Sequence, residues 1–434
     1  MSNIQILDDQ TINQIAAGEV IERPASVVKE LVENSLDAGA KNIRIRVEEG
    51  GTALIIVQDD GQGMDQEDAV LAFKKHSTSK IRSFDDLNAV KTSGFRGEAL
   101  PSIASVSRLR ITTAEKGSKV GTRITIEGND DLKAEDHATP KGTNIEVADL
   151  FFNTPARSKH LKRVSTELQH IVKTVTVEAI RRPDVAFNLV HGERKLIDAP
   201  ASDLKTRIGV LLGREAAREL IEIEGEEGGL KVSGYLTRPA VSRKTMSGIY
   251  LHINGRPVQA RNICYSIRGA YGSLLHDGHF PIGALFLEIP PNDVDVNVHP
   301  AKTEIRFQNS SIVHRAVQHA IEYALSNQKE HLFQQAQEVQ THGIDSINTT
   351  STKNKTTSNI SNYFDRHSKT GVHFPDFYHP SSKSYQDSTP SNTFVTSHQA
   401  HSDNIPITDY ISQLPVVLGQ FVESFIVATD REGV

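Results

Sequence analysis

The residues best suited to chemistry lie in one stretch, residues 24–40, with the sequence PASVVKELVENSLDAGA. A proline at its start and Gly39 near its end predict a helix, because these residue types suit the first helical position and the left-handed residue beyond the last. Plotted at about 100° per residue, the apolar residues share one side of this helix. The other side, on which we expect no lysine or arginine, carries Glu30, Glu33, Asn34 and Asp37.

A carboxylate and an amide one helical turn apart could hydrolyse a nucleotide. Glu30 could hold a water molecule while the amide oxygen of Asn34 binds a hard cation. The alternative is a solvated polar face, the ordinary explanation for a single amphipathic helix. Exposed faces usually mix cations with glutamate at four-residue spacing, so an acidic face without cations favours the hydrolytic site.

Two glycine-containing motifs could bind other parts of a nucleotide. Residues 59–64 (DDGQGM) follow a predicted strand, so Asp59 could accept a hydrogen bond from an amine such as that of adenine, and the glycines let a flat ligand approach the backbone. A plain surface turn is the alternative. Residues 92–100 (TSGFRGEAL) place two glycines before a predicted helix, which exposes N–H donors to phosphate. This motif is not a P-loop, because the Gly-Lys-Ser/Thr ending is absent.

Three further segments are weaker candidates. Residues 76–80 (HSTSK) offer hydroxyls and a cation to phosphate, and the polar span from there to Gly94 suits a lid. Thr143 opens a strand, where a threonine ordinarily reflects β propensity alone. Lys302 lies on a tight loop after a predicted strand and could reach a terminal phosphate, although a solvated lysine is the alternative.

Composition limits the class of protein. The chain has 434 residues, enough for two or three domains, and a net charge of −6, so any DNA contact needs a local basic patch. Its single cysteine, Cys264, excludes an internal disulfide framework and suits a reducing cytosol. Without an apolar run of 18 residues or a secretory signal, we expect a cytoplasmic protein with no membrane association.

The helices and strands that must position these residues indicate an α/β protein. An α/β unit, 1–205, has strands near 41–47, 52–58, 109–112, 121–127 and 143–147 and a helix at 163–180, with a mixed sheet and helices on one face. A second α/β unit, 206–330, has helices at 203–220, 261–275 and 312–327 and strands at 230–236, 249–253, 283–289 and 294–298. The polar composition of 335–405 predicts a disordered linker. Strands in 410–434 predict the start of a third, truncated domain.

Together these motifs resemble the GHKL ATPases, which include gyrase B subunits, 90-kDa heat-shock chaperones and histidine kinases, and within them the MutL family of DNA mismatch repair. The resemblance extends from residue 1 to about residue 330. The fold that the resemblance implies is a two-layer Bergerat ATPase sandwich of α+β type, followed by a ribosomal-protein-like transducer domain. The strings that carry it are 15–21, 24–40, 94–100, 152–157, 254–258 and 297–302.

The resemblance implies a role for each matching residue. Glu30 is similar to the general base that activates water, Asn34 to the Mg²⁺ ligand, and Lys302 to the lysine at the γ-phosphate. Asp59 would bind the adenine amine, helped by Thr143 through water. The other nucleotide-binding residues implied are Asp37, Ala38, Gly61, Gly63, Met64, Thr78, Ser79, Lys80, Gly94, Phe95, Arg96, Gly97, Glu98, Ala99 and Leu100.

The resemblance also implies a slow Mg²⁺-dependent ATP hydrolase that acts in the bacterial cytosol, at the nucleoid, as an ATP-gated dimeric clamp. Such a clamp couples mismatch recognition to strand nicking and removal. The implied partners are non-specific DNA, a MutS-type protein, a downstream nuclease or helicase, and a second copy of the chain. Candidate DNA contacts are Lys159, Lys162, Arg163 and Arg268.

Two rival hypotheses remain from the sequence. A scaffold that binds DNA and proteins without turnover would not need Glu30. A topoisomerase-like or chaperone ATPase would not need the strings 254–258 and 297–302. Some family members carry a metal-dependent nicking site in a C-terminal dimerisation domain. Residues 418–433 resemble only the first hairpin of that domain, so the sequence leaves open whether such a site exists.

Overall fold

The computed structural model describes residues 20–74, 77, 97–128, 131–290, 294–295, 306–341, 416–421 and 425–429. The chain divides into two compact units, 1–375 and 376–434, which we describe separately. None of the helices in these described ranges is long and apolar enough to cross a membrane.

The first part of unit 1 is built on an eight-stranded mixed sheet with the order β5-β4-β3-β6-β2-β1-β7-β8. Strands β1 and β7 are parallel, and the other neighbours are antiparallel. The strands are β1 (Asn42–Glu48), β2 (Leu54–Asp59), β3 (Arg108–Ala114), β4 (Gly121–Glu127), β5 (Lys133–His137), β6 (Gly142–Ala148), β7 (Ala186–His191) and β8 (Arg194–Ala199).

Two long helices, α1 (Pro24–Asp37) and α5 (Val164–Arg181), pack together and contribute to the core of this sheet. In β1, the buried Ile43, Ile45 and Val47 alternate with the exposed Arg44 and Arg46, so only one face of the strand is covered. Helix α1 begins at Pro24, and Gly39 beyond its end has a φ of +73°, as the sequence predicts. The predicted sheet and helix layers are confirmed.

Shorter helices lie between these strands. They are α2 (Gln66–Leu71), α3 (Ala99–Ser105) and α4 (Pro155–His160). The sequence patterns missed α2 and α4, each of only six residues, and the strands β5, β7 and β8. Short elements carry too few periodic positions to be distinguished from loops.

The second part of unit 1 is a five-stranded sheet, β13-β12-β15-β10-β9, in which β12 and β15 are parallel. Helices α8 (Arg261–Tyr271) and α9 (Ser310–Thr341) supply apolar residues to its core. The strands are β9 (Leu220–Glu227), β10 (Leu230–Thr237), β12 (Ile249–Ile253), β13 (Arg256–Val258) and β15 (Gly283–Glu288). Two short antiparallel pairs lie outside this sheet: β11 (Ser242–Arg243) pairs with β14 (Phe280–Pro281), and β16 (Val294–Asp295) pairs with β17 (Arg306–Phe307).

One prediction about this part is wrong. The single helix predicted at 203–220 is two helices, α6 (Leu204–Leu212) and α7 (Arg214–Glu219), because Gly213 between them is non-helical, with a φ of +103°. The linker predicted from 335 overlaps α9, which continues to Thr341. The rest of the predicted linker lies outside the described residues.

Unit 2 contains one described antiparallel hairpin, formed by β18 (Val416–Phe421) and β19 (Phe425–Thr429). A register shift lies between Val417 and Gly419. Both strands agree with the strands predicted near the end of the chain.

Candidate functional site

Asp59 lies at the end of β2 and is held by neutral hydrogen-bond donors. The Ser35 hydroxyl is 2.8 Å from Oδ2 of Asp59, and the Gly61 N–H donates to Oδ1 at 2.8 Å. Burial raises the pKa of Asp59, while hydrogen bonds from Gly61, Ser35 and Thr143 oppose that shift. A carboxylate fixed in this way presents its remaining lone pairs to an amine donor.

The adjacent Asp60 has a different role. Its carboxylate accepts from the backbone N–H groups of Lys41 and Asn42, at 2.7 and 2.8 Å, and from the Asn42 amide at 2.6 Å. Despite the opposing effect of burial, these donors lower the pKa of Asp60. Asp60 therefore ties the loop after β2 to the start of β1, and only Asp59 is available as a ligand acceptor.

Thr143 lies directly opposite Asp59 in the β2–β6 register. Its hydroxyl oxygen is 3.1 Å from that of Thr113, which also accepts the backbone N–H of Met64 at 3.0 Å. Thr113 is a residue that the sequence analysis missed, because the strand predicted at 109–112 stopped one residue short of it. The structure therefore joins Asp59, Thr143 and Met64 in one polar network.

The glycines of residues 59–64 allow close backbone packing around Asp59. A Cβ atom on Gly61 would lie 2.9 Å from the Cβ of Ala38, and Gly63 has a φ of +75° with the Ala114 carbonyl oxygen 2.0 Å from the position of an added Cβ. The Gln62 N–H also donates to the Ala38 carbonyl at 3.0 Å. The motif therefore packs against the end of α1, as a plain surface turn would not.

Helix α1 brings the predicted hydrolytic residues next to this network. Asn34 precedes Ser35, which contacts Asp59, and Glu30 lies one turn earlier with 23% of its side chain exposed. Asn34 is half-buried and Asp37 is exposed. One helix therefore carries the candidate base, the candidate cation ligand and a residue that holds the candidate adenine acceptor.

The expectation of an acidic face without cations is wrong. The ammonium of Lys29 lies 3.0 Å from Glu33 and 3.3 Å from Glu30, and the Glu33 side chain is only 5% exposed. Burial raises the pKa of Glu33 to about 7 against the effect of Lys29. Burial lowers the pKa of Lys29, but the two carboxylates raise it by more, so the net shift is upward. Glu33 is drawn inward because α1 packs on α5, which a single-helix projection cannot include.

Only part of the predicted phosphate-binding set lies within the described residues. Gly97 and Glu98 precede α3, and Ala99 and Leu100 form its first two residues. A Cβ atom on Gly97 would lie 2.2 Å from the carbonyl oxygen of Ser77, so described residues on the two sides of the predicted lid are in close contact. Outside the described residues lie Thr78, Ser79, Lys80, Gly94, Phe95, Arg96 and Lys302.

The start of the string at residues 152–157, with the preceding Phe151, is hydrogen-bonded to the C-terminal end of α3. The Phe151 N–H donates to the Val106 carbonyl at 2.7 Å, and the Asn153 amide donates to the Ser105 carbonyl at 2.8 Å. The helix that follows the predicted phosphate loop is therefore tied to the segment leading into α4.

The four predicted DNA contacts are divided between two places. Lys159, in the last turn of α4, and Lys162 and Arg163, before α5, are all exposed. Arg268 on α8 lies 3.6 Å from Asp277 and 5.9 Å from the centre of the Phe280 ring. Nothing in these contacts joins Arg268 to the other three.

The donor set fits a magnesium ion that is shared with phosphate. No cluster of three or more His, Cys, Asp or Glu side chains in the described ranges could hold a metal ion. Magnesium in nucleotide sites needs only one or two protein ligands, because phosphates and water fill the other positions. The single amide of Asn34 beside the carboxylate of Glu30 is compatible with that use.

Comparison with known families defines the class of the two parts. Residues 21–154 match the family described as histidine kinase-, DNA gyrase B-, and HSP90-like ATPase, and residues 208–326 match the DNA mismatch repair protein C-terminal domain. A crystal structure of the N-terminal domain of a DNA repair protein has the same fold, with a TM-score of 0.63 at 23% identity over 74% of this chain and 99% of that one. The first part is thus a GHKL ATPase domain.

The relatives identify the family within this class. The chain is 48% identical over 323 residues to MutL of Trichlorobacter lovleyi, covering 74% of this chain and 54% of that protein. It is 45% identical over 350 residues to MutL of Acidobacterium capsulatum, covering 75% and 53%. The ATPase domain of Aquifex aeolicus MutL, solved as a point mutant, has a TM-score of 0.52 at 26% identity, covering 70% of this chain and 99% of that one.

The chain belongs to the MutL family of DNA mismatch repair proteins. It spans about half the length of the curated relatives it matches.

Proposed function

We propose that this chain binds ATP and hydrolyses it to ADP and phosphate in the service of DNA mismatch repair. The observation that carries the proposal is the contact between Ser35 and Asp59, because it sets the helix of Glu30 and Asn34 beside the candidate adenine acceptor. Membership of a family whose relatives are named DNA mismatch repair proteins supports the repair role.

In the proposed reaction, Asp59 accepts a hydrogen bond from the exocyclic amine of adenine, and Thr143 assists through water. Glu30 takes a proton from a water molecule as its oxygen attacks the γ-phosphorus, and the bond to the β-phosphate oxygen breaks to leave ADP. Backbone N–H groups of residues 94–100, with Thr78, Ser79, Lys80 and Lys302, hold the phosphates. Asn34 would bind Mg²⁺, which when bound supplies shielding of the phosphate charge.

ATP would act on the protein by differential affinity for a closed state in which two copies associate through their N-terminal parts. Lys159, Lys162, Arg163 and Arg268 would hold DNA through its phosphates without regard to sequence. A MutS-type protein upstream and a nuclease or helicase downstream are the proposed protein partners. Together these steps describe a dimeric clamp that reports a mismatch to the machinery that nicks and removes the strand.

The test is ATP turnover by the full chain as a function of protein concentration, for the wild type and for Glu30→Ala. Turnover that rises faster than linearly and is abolished in the variant supports a dimerising ATPase with Glu30 as its base. Turnover linear in protein overturns the ATP-driven dimer but keeps the ATPase. Tight ATP binding without turnover supports the rival scaffold hypothesis.

A further inference from the structure

Lys29 joins two carboxylates that differ in burial. Its ammonium lies 3.0 Å from Oε1 of Glu33, whose side chain is 5% exposed, and 3.3 Å from Oε1 of Glu30, whose side chain is 23% exposed. The Lys29 side chain itself is 45% exposed. An ammonium carries three donors, so it can serve both oxygens at once. Glu33 is therefore the anchored end of this bridge, and Glu30, the candidate base, is its more exposed end.

The surroundings of Glu33 explain why it keeps Lys29 in place. Glu178 of α5 is also buried, and its charge acts on Glu33. Arg181 already binds Glu178, with its Nε 2.7 Å from Oε2. Among the ion pairs of the described residues, the cation within 4 Å of Glu33 is Lys29. Moving Lys29 away would leave a buried acid beside a second buried acid, which is unfavourable.

Helix stabilisation is a poor explanation for this arrangement. A pair at i and i+4 stabilises a helix more when the glutamate precedes the lysine, and here the lysine comes first. Orientation therefore gives this pair no advantage as a helix-stabilising pair, even though Glu33 is buried. The bridge also includes Glu30, one residue from Lys29 in sequence, which a pair serving only the helix would not need.

We propose that Lys29 is a positioning residue for the general base, its ammonium anchored on the buried Glu33 so that the Glu30 carboxylate is held in one orientation beside the nucleotide. This inference rests on the proposed ATPase function. A base must lie within hydrogen-bond reach of its water, and small displacements of such groups lower rates strongly. Loss of Lys29 therefore slows the chemical step and leaves nucleotide binding nearly unchanged.

The experiment measures kcat and KM for MgATP with the full chain. We expect Lys29→Met to lower kcat about tenfold with KM changed less than about twofold, and Lys29→Arg to restore most of the lost rate. Lys195→Met is the matched control, because it also removes a lysine bound to a carboxylate, Asp198 at 2.9 Å, on the edge strand β8. The control should leave both constants unchanged.

A second comparison uses the anchor. Glu33→Gln alone should lower kcat in the same direction, and adding it to Lys29→Met should lower kcat no further, since both substitutions break one bridge. Binding of a fluorescent ATP analogue shows that each variant keeps a formed site. An unchanged kcat in Lys29→Met, a failure of Lys29→Arg to restore the rate, or additive losses in the double variant would overturn the proposal.

The outcomes separate this inference from the proposed function. If Glu30→Ala retains full turnover, the proposed base is wrong. If Glu30→Ala is inactive while Lys29→Met matches the wild type, Glu30 remains the base and only the positioning role of Lys29 is rejected.

Discussion

Two cations in unit 1, Arg207 on α6 and Lys29 on α1, are held in opposite ways. Arg207 is fully buried, and its guanidinium lies within 3.4 Å of six backbone carbonyl oxygens, those of Ala179, Arg182, Pro183, Val185, Ala199 and Pro200. Lys29 is half-exposed and is held by two side chains. Backbone carbonyls hold Arg207 as part of the fold, whereas two carboxylates hold Lys29 beside the candidate base.

Other residues can be divided between the interior and the candidate site in the same way. His252 on β12 is buried, as Arg207 is, and its ring is stacked on that of Phe286 with ring centres 4.7 Å apart. Asp59 and Ser35 belong with Lys29 to the candidate site. We therefore expect substitutions in the interior to change the free energy of unfolding and substitutions at the site to change nucleotide binding or turnover.

The largest expected effect follows Arg207→Leu. Removing the guanidinium takes a donor away from buried carbonyls near the end of α5, before β7 and at the end of β8, so we expect the free energy of unfolding to fall by about 4 kcal/mol. Urea denaturation measures this change. The ATP affinity of the folded fraction should match the wild type, and a large loss of affinity would show that the interior and the site are not separable.

His252 predicts a pH dependence of stability. Burial, and then the charge of Arg181, lower its pKa to about 4, while an unfolded histidine titrates near 6.5. Between these values the unfolded chain binds a proton that the folded chain does not. Stability therefore falls as the pH drops from 6.5 towards 4, by about 3 kcal/mol from this residue.

The test compares unfolding of the wild type and His252→Leu at several pH values, because the difference between the two curves removes the contribution of all other groups. The groups that face the ring from α5 are the Val177 backbone and Arg181, and both are unchanged in the variant. Parallel curves would show that His252 titrates normally in the folded protein.

At the site, Asp59→Asn should have the largest effect on binding. The substitution presents an amide N–H₂ where the adenine amine needs an acceptor, so we expect ATP affinity to fall about 100-fold, since a hydrogen bond to a charged group contributes about 1.5–3 kcal/mol. Isothermal titration calorimetry measures the affinity. Asp60→Asn is the matched control, because the contacts of Asp60 are with the start of β1, and it should lower stability without changing affinity.

The sequence predicted those parts of the site that depend on local order. The ends of α1, the strand before Asp59 and the glycines at 61 and 63 follow from residue types at short spacing. The burial of Glu33 could not be predicted, because it depends on the packing of α1 against α5, more than 130 residues away in the chain. A helix projection places a side chain on a face but cannot say which part of that face another helix covers.

The same limit applies to the fold. The alternation in residues 41–47 predicted β1, but its parallel neighbour β7 and the sheet edge β8 were missed. The sequence analysis did not single out Arg207, because the carbonyls that make its burial favourable come together only in the folded chain, near the ends of α5, β7 and β8. The pairing of β7 and β8 and the burial of Arg207 depend on contacts between distant segments, which sequence patterns do not reveal.

The smallest expected effect at the site is that of Ser35, a buried residue of α1 whose hydroxyl contacts Asp59. Its hydroxyl favours the charged form of Asp59, so Ser35→Ala should weaken ATP binding about fivefold, the loss of a hydrogen bond contributing about 1 kcal/mol. The variant also raises the pKa of Asp59 further. Affinity on the acid side should therefore begin to fall at a higher pH than in the wild type.

Ser266→Ala is the matched control for this last measurement, because it removes a hydroxyl that lies 2.6 Å from His314 in the second sheet domain. Calorimetric titrations with ATP across the acid range should show unchanged affinity for the control and a displaced pH profile for Ser35→Ala. If Ser35→Ala lowers affinity equally at every pH, the hydroxyl only orients Asp59 and does not set its charge. If affinity is unchanged throughout, the Gly61 N–H alone is sufficient to hold the carboxylate.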